Sequence, residues 1–304
     1  DGAGAVRGCP PRSFEGGKMV IDMNVSPAFI EELKPSEEQL DFCREQMGLY
    51  KTDAISVGEM RTLARVSGID RLCLMPLDLS TTAGGYLGTN EQVAWLVEES
   101  PDFFMGFSTV DPSREDALVV AERALGELGL SGLYLHPSHQ RFDPADKALW
   151  PLYDLVERMG KPIVFHAGMS CRPGVTSELS HPLRFERVAA AFPGLRMCLQ
   201  HFGWPWTREV AMLMLKYKNV YTDLSCLYFD NAPEFYEHIF TSDLGRNWID
   251  RSLRHQVMYA SEEPRLEQRR MIEAVRKQEW RASTKRMVLG ENALAFIGGG
   301  AIHD

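Results

Sequence analysis

The sequence has no apolar run long enough to cross a bilayer and no signal-peptide pattern at its start. It also lacks a Lys/Arg-rich block and carries a formal net charge of −9. Nucleic-acid surfaces rely on clustered basic residues, so that class of partner is excluded, as is a membrane partner. No Gly-rich phosphate loop follows the first apolar run, which argues against a nucleotide-binding open sheet. Cysteines are few and scattered: Cys9, Cys43, Cys73, Cys171, Cys198 and Cys226, with no CxxC spacing. Cys73 and Cys198 sit inside apolar runs, where a buried thiol is expected. The expectation is a reduced, cytoplasmic protein. No internal repeat or low-complexity segment is seen.

What is present matches a soluble globular protein, with 44% hydrophobic and 25% charged residues. A chain of 304 residues is long for one ordinary core but normal for a single α/β barrel. Residues 1–17, rich in Gly, Pro and Arg, read as an irregular arm. Eight strand-like runs follow, at 18–24, 71–76, 103–110, 132–137, 162–168, 195–201, 219–225 and 256–261. Helical patterns separate them at 58–68, 90–100, 114–129, 148–160, 207–218, 232–240, 243–253, 266–278 and 281–290. Strands apolar on both faces and separated by helices indicate a parallel sheet, because each crossover helix covers a face. Eight such units over residues 18–304 fit a closed (β/α)8 TIM barrel, with an insert at about 28–57 folding near its mouth.

In such a barrel chemistry gathers where the strands end at their C-termini. The first run, VIDMNVSP, ends with Asp22, Asn24 and Ser26 on one face, since side chains alternate with a period of two. Later runs end in His136, His166, His201, Asp223 with Ser225, and Ser261 with Glu262 and Glu263. Three of eight histidines close a strand and converge on one mouth, which marks a site. His139, His238, His255 and His303 have no such placement and read as surface residues. His181 precedes Pro182 and is positioned to cap the following helix or line the mouth. Trp204 and its aromatic neighbours Phe202 and Trp206 read either as a pocket wall or as packing.

These residues also carry a family likeness. IVFHAG (163–168), LRMCLQHFGWPW (195–206), NVYTDLS (219–225), VMYASEEP (257–264) and LGENALAFI (289–297) occur in order. Together they resemble the amidohydrolase superfamily over residues 19–297. The likeness is to the amidohydrolase-related branch that includes aminocarboxymuconate-semialdehyde decarboxylase and resorcylate-type decarboxylases. It implies that His166 is a metal ligand, that His201 handles protons above the metal, and that position 262 is a ligand or base. It also implies a small carboxylated or cyclic, often aromatic, substrate, and a homodimer in which 28–57 is a candidate dimerisation element.

The departures bear on the metal. The first-strand His-x-His pair of the family is replaced by Asn24 and Ser26, and the eighth-strand aspartate by Glu262. A neutral amide and a hydroxyl are weak donors beside imidazole or carboxylate. No tightly bound cofactor is therefore expected; the alternative is one divalent zinc or manganese held by His166 and Glu262. Three functions stay open. One is a hydrolase or decarboxylase with weak or no metal dependence, using His201 as base, Glu262 to orient water and His166 to hold a substrate oxygen. The others are its metal-dependent version and a non-catalytic barrel that binds a small molecule or partner subunit. Asn24, Ser26, His136, Arg172 and Trp204 are the candidate substrate contacts, with Arg172 the best-placed cation for a carboxylate. Tyr134, where many relatives carry lysine, is expected to point away from His136.

Overall fold

The computed structural model describes residues 19–228 and 231–298; the arm expected over 1–17 lies outside them, as does His303. The strands are β1 (Ile21–Val25), β2 (Arg71–Leu74), β3 (Leu77–Leu79), β4 (Gly85–Leu87), β5 (Phe104–Gly106) and β6 (Ser108–Thr109). They continue with β7 (Leu133–Leu135), β8 (Ile163–Phe165), β9 (Met197–Leu199), β10 (Val220–Asp223) and β11 (Val257–Met258). β1-β2-β5 and β6-β7-β8-β9-β10-β11 are parallel ladders, and β5 and β6 are consecutive pieces of one stave. The last stave closes onto the first through backbone bonds: Met23 N–H to Tyr259 C=O (3.1 Å), Glu262 N–H to Asn24 C=O (2.9 Å) and Ser26 N–H to Glu263 C=O (2.9 Å). The result is the eight-staved (β/α)8 barrel expected from the sequence.

Its interior is filled by alternate strand residues, among them Ile21, Met23, Cys73, Met105, Phe107, Val164, Cys198 and Met258. Cys73 and Cys198 are fully desolvated there, which pushes both thiols up from their ordinary range. The second core lies between staves and helices, where Leu72, Leu74, Val93, Phe165, Val188, Met214 and Ile272 are buried.

The helices begin and end on local signals. Ser36 and Ser56 accept from the backbone N–H groups of Gln39 and Glu59, and Gly48 and Gly68 close the same two helices, Glu37–Met47 and Val57–Ser67, in the left-handed conformation. Thr89 and Gln92 form a capping box on Asn90–Glu99. Two pieces were not anticipated: the antiparallel β3–β4 hairpin, and a helical turn at Pro137–Gln140 directly after β7.

Two features aim residues at the mouth. β1 carries a register shift between Asp22 and Val25, so its three polar residues do not act as one face. Asp22 instead accepts from Ser261 N–H (2.8 Å), Ser261 Oγ (2.6 Å) and Gln268 Nε2 (3.0 Å), tying the first stave to the last. At Gly168, φ is +96° and a Cβ would lie 2.4 Å from the carbonyl oxygen of Trp204. Only glycine lets the loop after β8 press onto the turn after β9 in this way.

Candidate active site

The cavity at the C-terminal mouth holds about 660 Å³ of empty space, counted out to solvent. Asn24, Ser26, Tyr134, His136, His166, Arg172, His201 and Glu262 line it, with Gln46 and Met47 from the end of the Glu37–Met47 helix. Trp204 does not line it. The chain leaves β9 with His201, Phe202 and Gly203 all at positive φ, and this turn carries Trp204 away to pack on Phe235.

The histidines form a contiguous group. The rings of His136 and His166 stack at 3.7 Å with 8° between planes, and His201 meets His166 edge-on at 4.9 Å. His139, read from the sequence as a surface residue, belongs to this group at 4.2 Å from His136 and is buried. The helical turn after β7 folds it back under the loop carrying Ser170, whose hydroxyl is 3.2 Å from its Nε2. His238 is exposed, His255 is half-buried beside Arg254, and His181 caps its turn by accepting from Leu183 N–H.

Burial holds His136 and His166 well below the ordinary histidine range, helped by neighbouring histidines in both and by Arg265 in His166. His139 is lowered to about 4 by burial, then by Arg172 and Arg265. These three rings are therefore neutral near pH 7. The Nδ1 atom of His136 accepts from the His139 backbone N–H (3.3 Å), so the proton of this neutral ring sits on Nε2.

His201 has the opposite tautomer. Its Nδ1 lies 3.2 Å from the carbonyl oxygen of Ser225 and 2.8 Å from the Ser225 hydroxyl. A carbonyl only accepts, and the hydroxyl donates to Asp223 at 2.5 Å, so Nδ1 is the donor and, in the neutral ring, Nε2 carries the lone pair. Asp223 also accepts from the backbone N–H groups of His201 and Ser225, while Asn24 Nδ2 donates to the Ser225 hydroxyl at 3.3 Å. Asp223 and Ser225 thus act behind His201 and outside the cavity lining.

Arg172 lines the cavity, but its fork donates to Gln46 (2.7 Å) and Glu45 (2.7 Å) of the covering helix. The cation that faces the site is Arg265, which sequence reasoning missed. It lines the cavity, pairs with Glu262 at 3.2 Å through Nε and donates from one terminal nitrogen to the Met47 carbonyl, which leaves its other terminal nitrogen for a ligand. Burial alone would raise the Glu262 carboxyl; Arg265 and His201 beside it outweigh burial, and Glu262 stays below its usual range. Tyr134, expected to point away from His136, instead lines the cavity on the same side, because residues two apart share a strand face.

The donor set can be tested against a divalent metal. Among the described residues, the donor atoms that come within 4.8 Å of one another are those of His201, Cys226 and Glu262, and His166 is outside that group. Within it, Nδ1 of His201 is engaged by Ser225, which leaves Nε2 to the cavity, and Glu262 pairs with Arg265 through Oε1 while its buried Oε2 has no hydrogen-bond partner. A guanidinium beside the carboxylate opposes a divalent cation there, and His166 stands apart from the set.

A parallel eight-staved barrel with its polar residues gathered at the strand C-termini defines an α/β-barrel enzyme site. Residues 59–299 match the family described as Amidohydrolase, and the chain belongs to that family of enzymes. A search of curated proteins finds no match. Among solved structures the chain is similar to the uncharacterized TIM-barrel protein Bb4693 from Bordetella bronchiseptica, at 18% identity and TM-score 0.74, covering 92% of this chain and 98% of that one. It is also similar to 5-carboxyvanillate decarboxylase LigW from Sphingomonas paucimobilis (16%, TM-score 0.66, 93% and 99%). A dihydroxybenzoic acid decarboxylase from Polaromonas sp. JS666, solved with bound manganese and 2-nitroresorcinol, is similar at 15% identity and TM-score 0.61, covering 94% and 98%. Likeness at this level carries the fold.

Proposed function

We propose that this protein is a hydrolase or decarboxylase of a small carboxylated, cyclic compound, working without a tightly held metal, with His201 as the proton carrier. The observation that carries this reading is the fixed tautomer of His201, a free Nε2 backed through Ser225 to the buried carboxylate of Asp223. Imidazole so held takes a proton at Nε2, and the Ser225–Asp223 pair stabilises the imidazolium that results. In hydrolysis the proton comes from a water that Glu262 orients. In decarboxylation the ring returns the proton to the carbon that carbon dioxide leaves. Arg265, Tyr134 and the Nε2–H of His136 are the donors available to an anionic substrate oxygen, the place a Lewis acid holds in metal-dependent relatives. The likeness to two proteins named as aromatic-acid decarboxylases supports the decarboxylase arm.

The test is a turnover screen of chelator-treated protein against 5-carboxyvanillate, 2,6-dihydroxybenzoate and a set of cyclic lactones. Activity that survives chelation, and falls in His201→Asn, is expected. Activity abolished by chelation and restored by manganese would reject the metal-free reading; full activity in His201→Asn would reject the proton carrier.

A further inference from the structure

We propose that a cleft beside the catalytic cavity, lined by Arg141, is a second binding site that takes a carboxylate. The cleft holds about 560 Å³ of empty space, counted out to solvent, and shares Gln46, His139 and Arg172 with the catalytic cavity as a common wall. Three segments build the rest: the tip of the β3–β4 hairpin with Thr82, the helical turn after β7 with Ser138, and the loop after β8 with Thr176. The charge of this lining is one-sided. Two arginines and no carboxylate line it, in a chain whose formal net charge is −9.

The two arginines are not equivalent. The Arg172 fork is taken up by Gln46 and Glu45, so this side chain serves as wall. Arg141 is exposed and has no side-chain partner among the described residues, which leaves its whole fork for a ligand. Its backbone is held at φ +57°, where it closes the helical turn by donating its N–H to the Pro137 carbonyl. Such a conformation in a long side chain persists only where the surroundings impose it. Gln140 imposes it here: its Oε1 accepts from the His136 N–H (2.8 Å) and its Nε2 donates to the carbonyls of Asp78 (2.8 Å) and Val110 (2.9 Å). The turn that carries Arg141 is thereby fixed against the hairpin before a ligand arrives. Two buried polar atoms of lining residues, Thr82 Oγ1 and His139 Nδ1, have no hydrogen-bond partner among the described residues. Buried polar groups are ordinarily paired, and with Nε2 of His139 accepting from Ser170 both of these atoms are donors. One unengaged guanidinium among neutral donors balances a single negative charge, which selects a carboxylate over a phosphate dianion. That carboxylate belongs either to a separate small acid or to the far end of a molecule whose near end lies at Arg265. The site also adjoins the catalytic histidines: His139 packs on His136, and Ser138 Oγ lies 2.8 Å from Ser180 Oγ, itself 3.3 Å from His166 Nδ1.

The test measures binding alone, on the full chain at constant ionic strength, so it is independent of the activity proposed above. Acetate, benzoate, isophthalate and phosphate are titrated calorimetrically into the unsubstituted protein, Arg141→Asn, Arg141→Lys and Arg265→Gln. Asparagine tolerates the left-handed conformation at position 141, and Tm checks that each variant is folded. Arg141→Asn is expected to weaken acetate or isophthalate by at least about fivefold, with partial recovery in Arg141→Lys. Acetate weakened in the presence of saturating benzoate identifies a separate acid as the occupant. Isophthalate weakened with acetate unchanged identifies the second carboxylate of one bridging ligand. Benzoate unaffected by Arg265→Gln would count against the catalytic reading and leave the Arg141 site standing. Acetate and isophthalate both unchanged in Arg141→Asn overturn the proposal, as does failure of both to bind the unsubstituted protein, or tighter Arg141-dependent binding of phosphate than of either.

Discussion

At the scale of single residues, His201 is set apart by what stands behind it. Asn in its place keeps a similar size but cannot carry a proton, and turnover should fall by about 10²–10⁴ with little change in Tm. Ser225→Ala should lower turnover by a smaller factor, because the carbonyl of Ser225 still fixes the tautomer while the link to Asp223 is lost. A sharp fall in Tm with near-normal turnover in His201→Asn would show a structural role. A second expectation concerns the metal. Elemental analysis should find well under one zinc or manganese per chain, and replacing both Asn24 and Ser26 with His should raise occupancy by restoring two imidazoles. Stoichiometric metal in the unsubstituted protein would contradict this. A third concerns the two cavity arginines: Arg265→Gln should raise KM for an acidic substrate at least about tenfold, while Arg172→Gln, whose fork is already engaged by Glu45 and Gln46, should do less. Strand periodicity made His136, His166 and Glu262 legible in the sequence because strand ends point at the mouth by geometry. It was silent on Arg265, Cys226 and His139, which stand in loops or turns whose direction depends on backbone angles that no periodic pattern encodes.

At the scale of elements, eight staves were readable because each is a short apolar run between helical patterns. The β3–β4 hairpin was not, since three-residue strands in a polar, Gly-rich stretch look like a loop. The bulge in β1 was equally hidden, and it matters more, because it separates Asp22 from Asn24 in role. The neighbouring loops are held by one small residue. Gly168→Ala would place a methyl group against the Trp204 carbonyl at a φ of +96°. Denaturant unfolding should show a loss of about 2 kcal/mol or more. An unchanged midpoint would mean that the two loops separate at little cost.

At the scale of the whole molecule, the neutral histidines give stability a pH dependence with a definite sign. His139 is lowered from 6.5 to about 4 in the fold, so between those values the unfolded chain binds a proton that the folded chain refuses. Its contribution is complete above ~6.5 and is lost as pH falls toward 4, about 3 kcal/mol in all. His136 and His166 act in the same direction. Asp22, raised to about 6, and Glu263, raised to about 7, act oppositely: each takes up a proton in the fold first, which favours the fold as pH drops through that value. The measurable quantity is therefore a difference. Unfolding free energies at pH 7.5 and 5 should fall less in His139→Gln than in the unsubstituted protein, and an identical fall would show that the ring is protonated when folded. The closure of the barrel has a consequence of another kind. Its seam is a two-residue strand, a few backbone bonds and the Asp22 carboxylate. While it holds, no stave has a free edge; if it opens, β1 and β11 expose unpaired N–H and C=O rows together, each a template for a neighbouring chain. A substitution such as Asp22→Ala should thus show itself first as concentration-dependent association into β-rich aggregates, ahead of any loss of secondary structure in dilute solution.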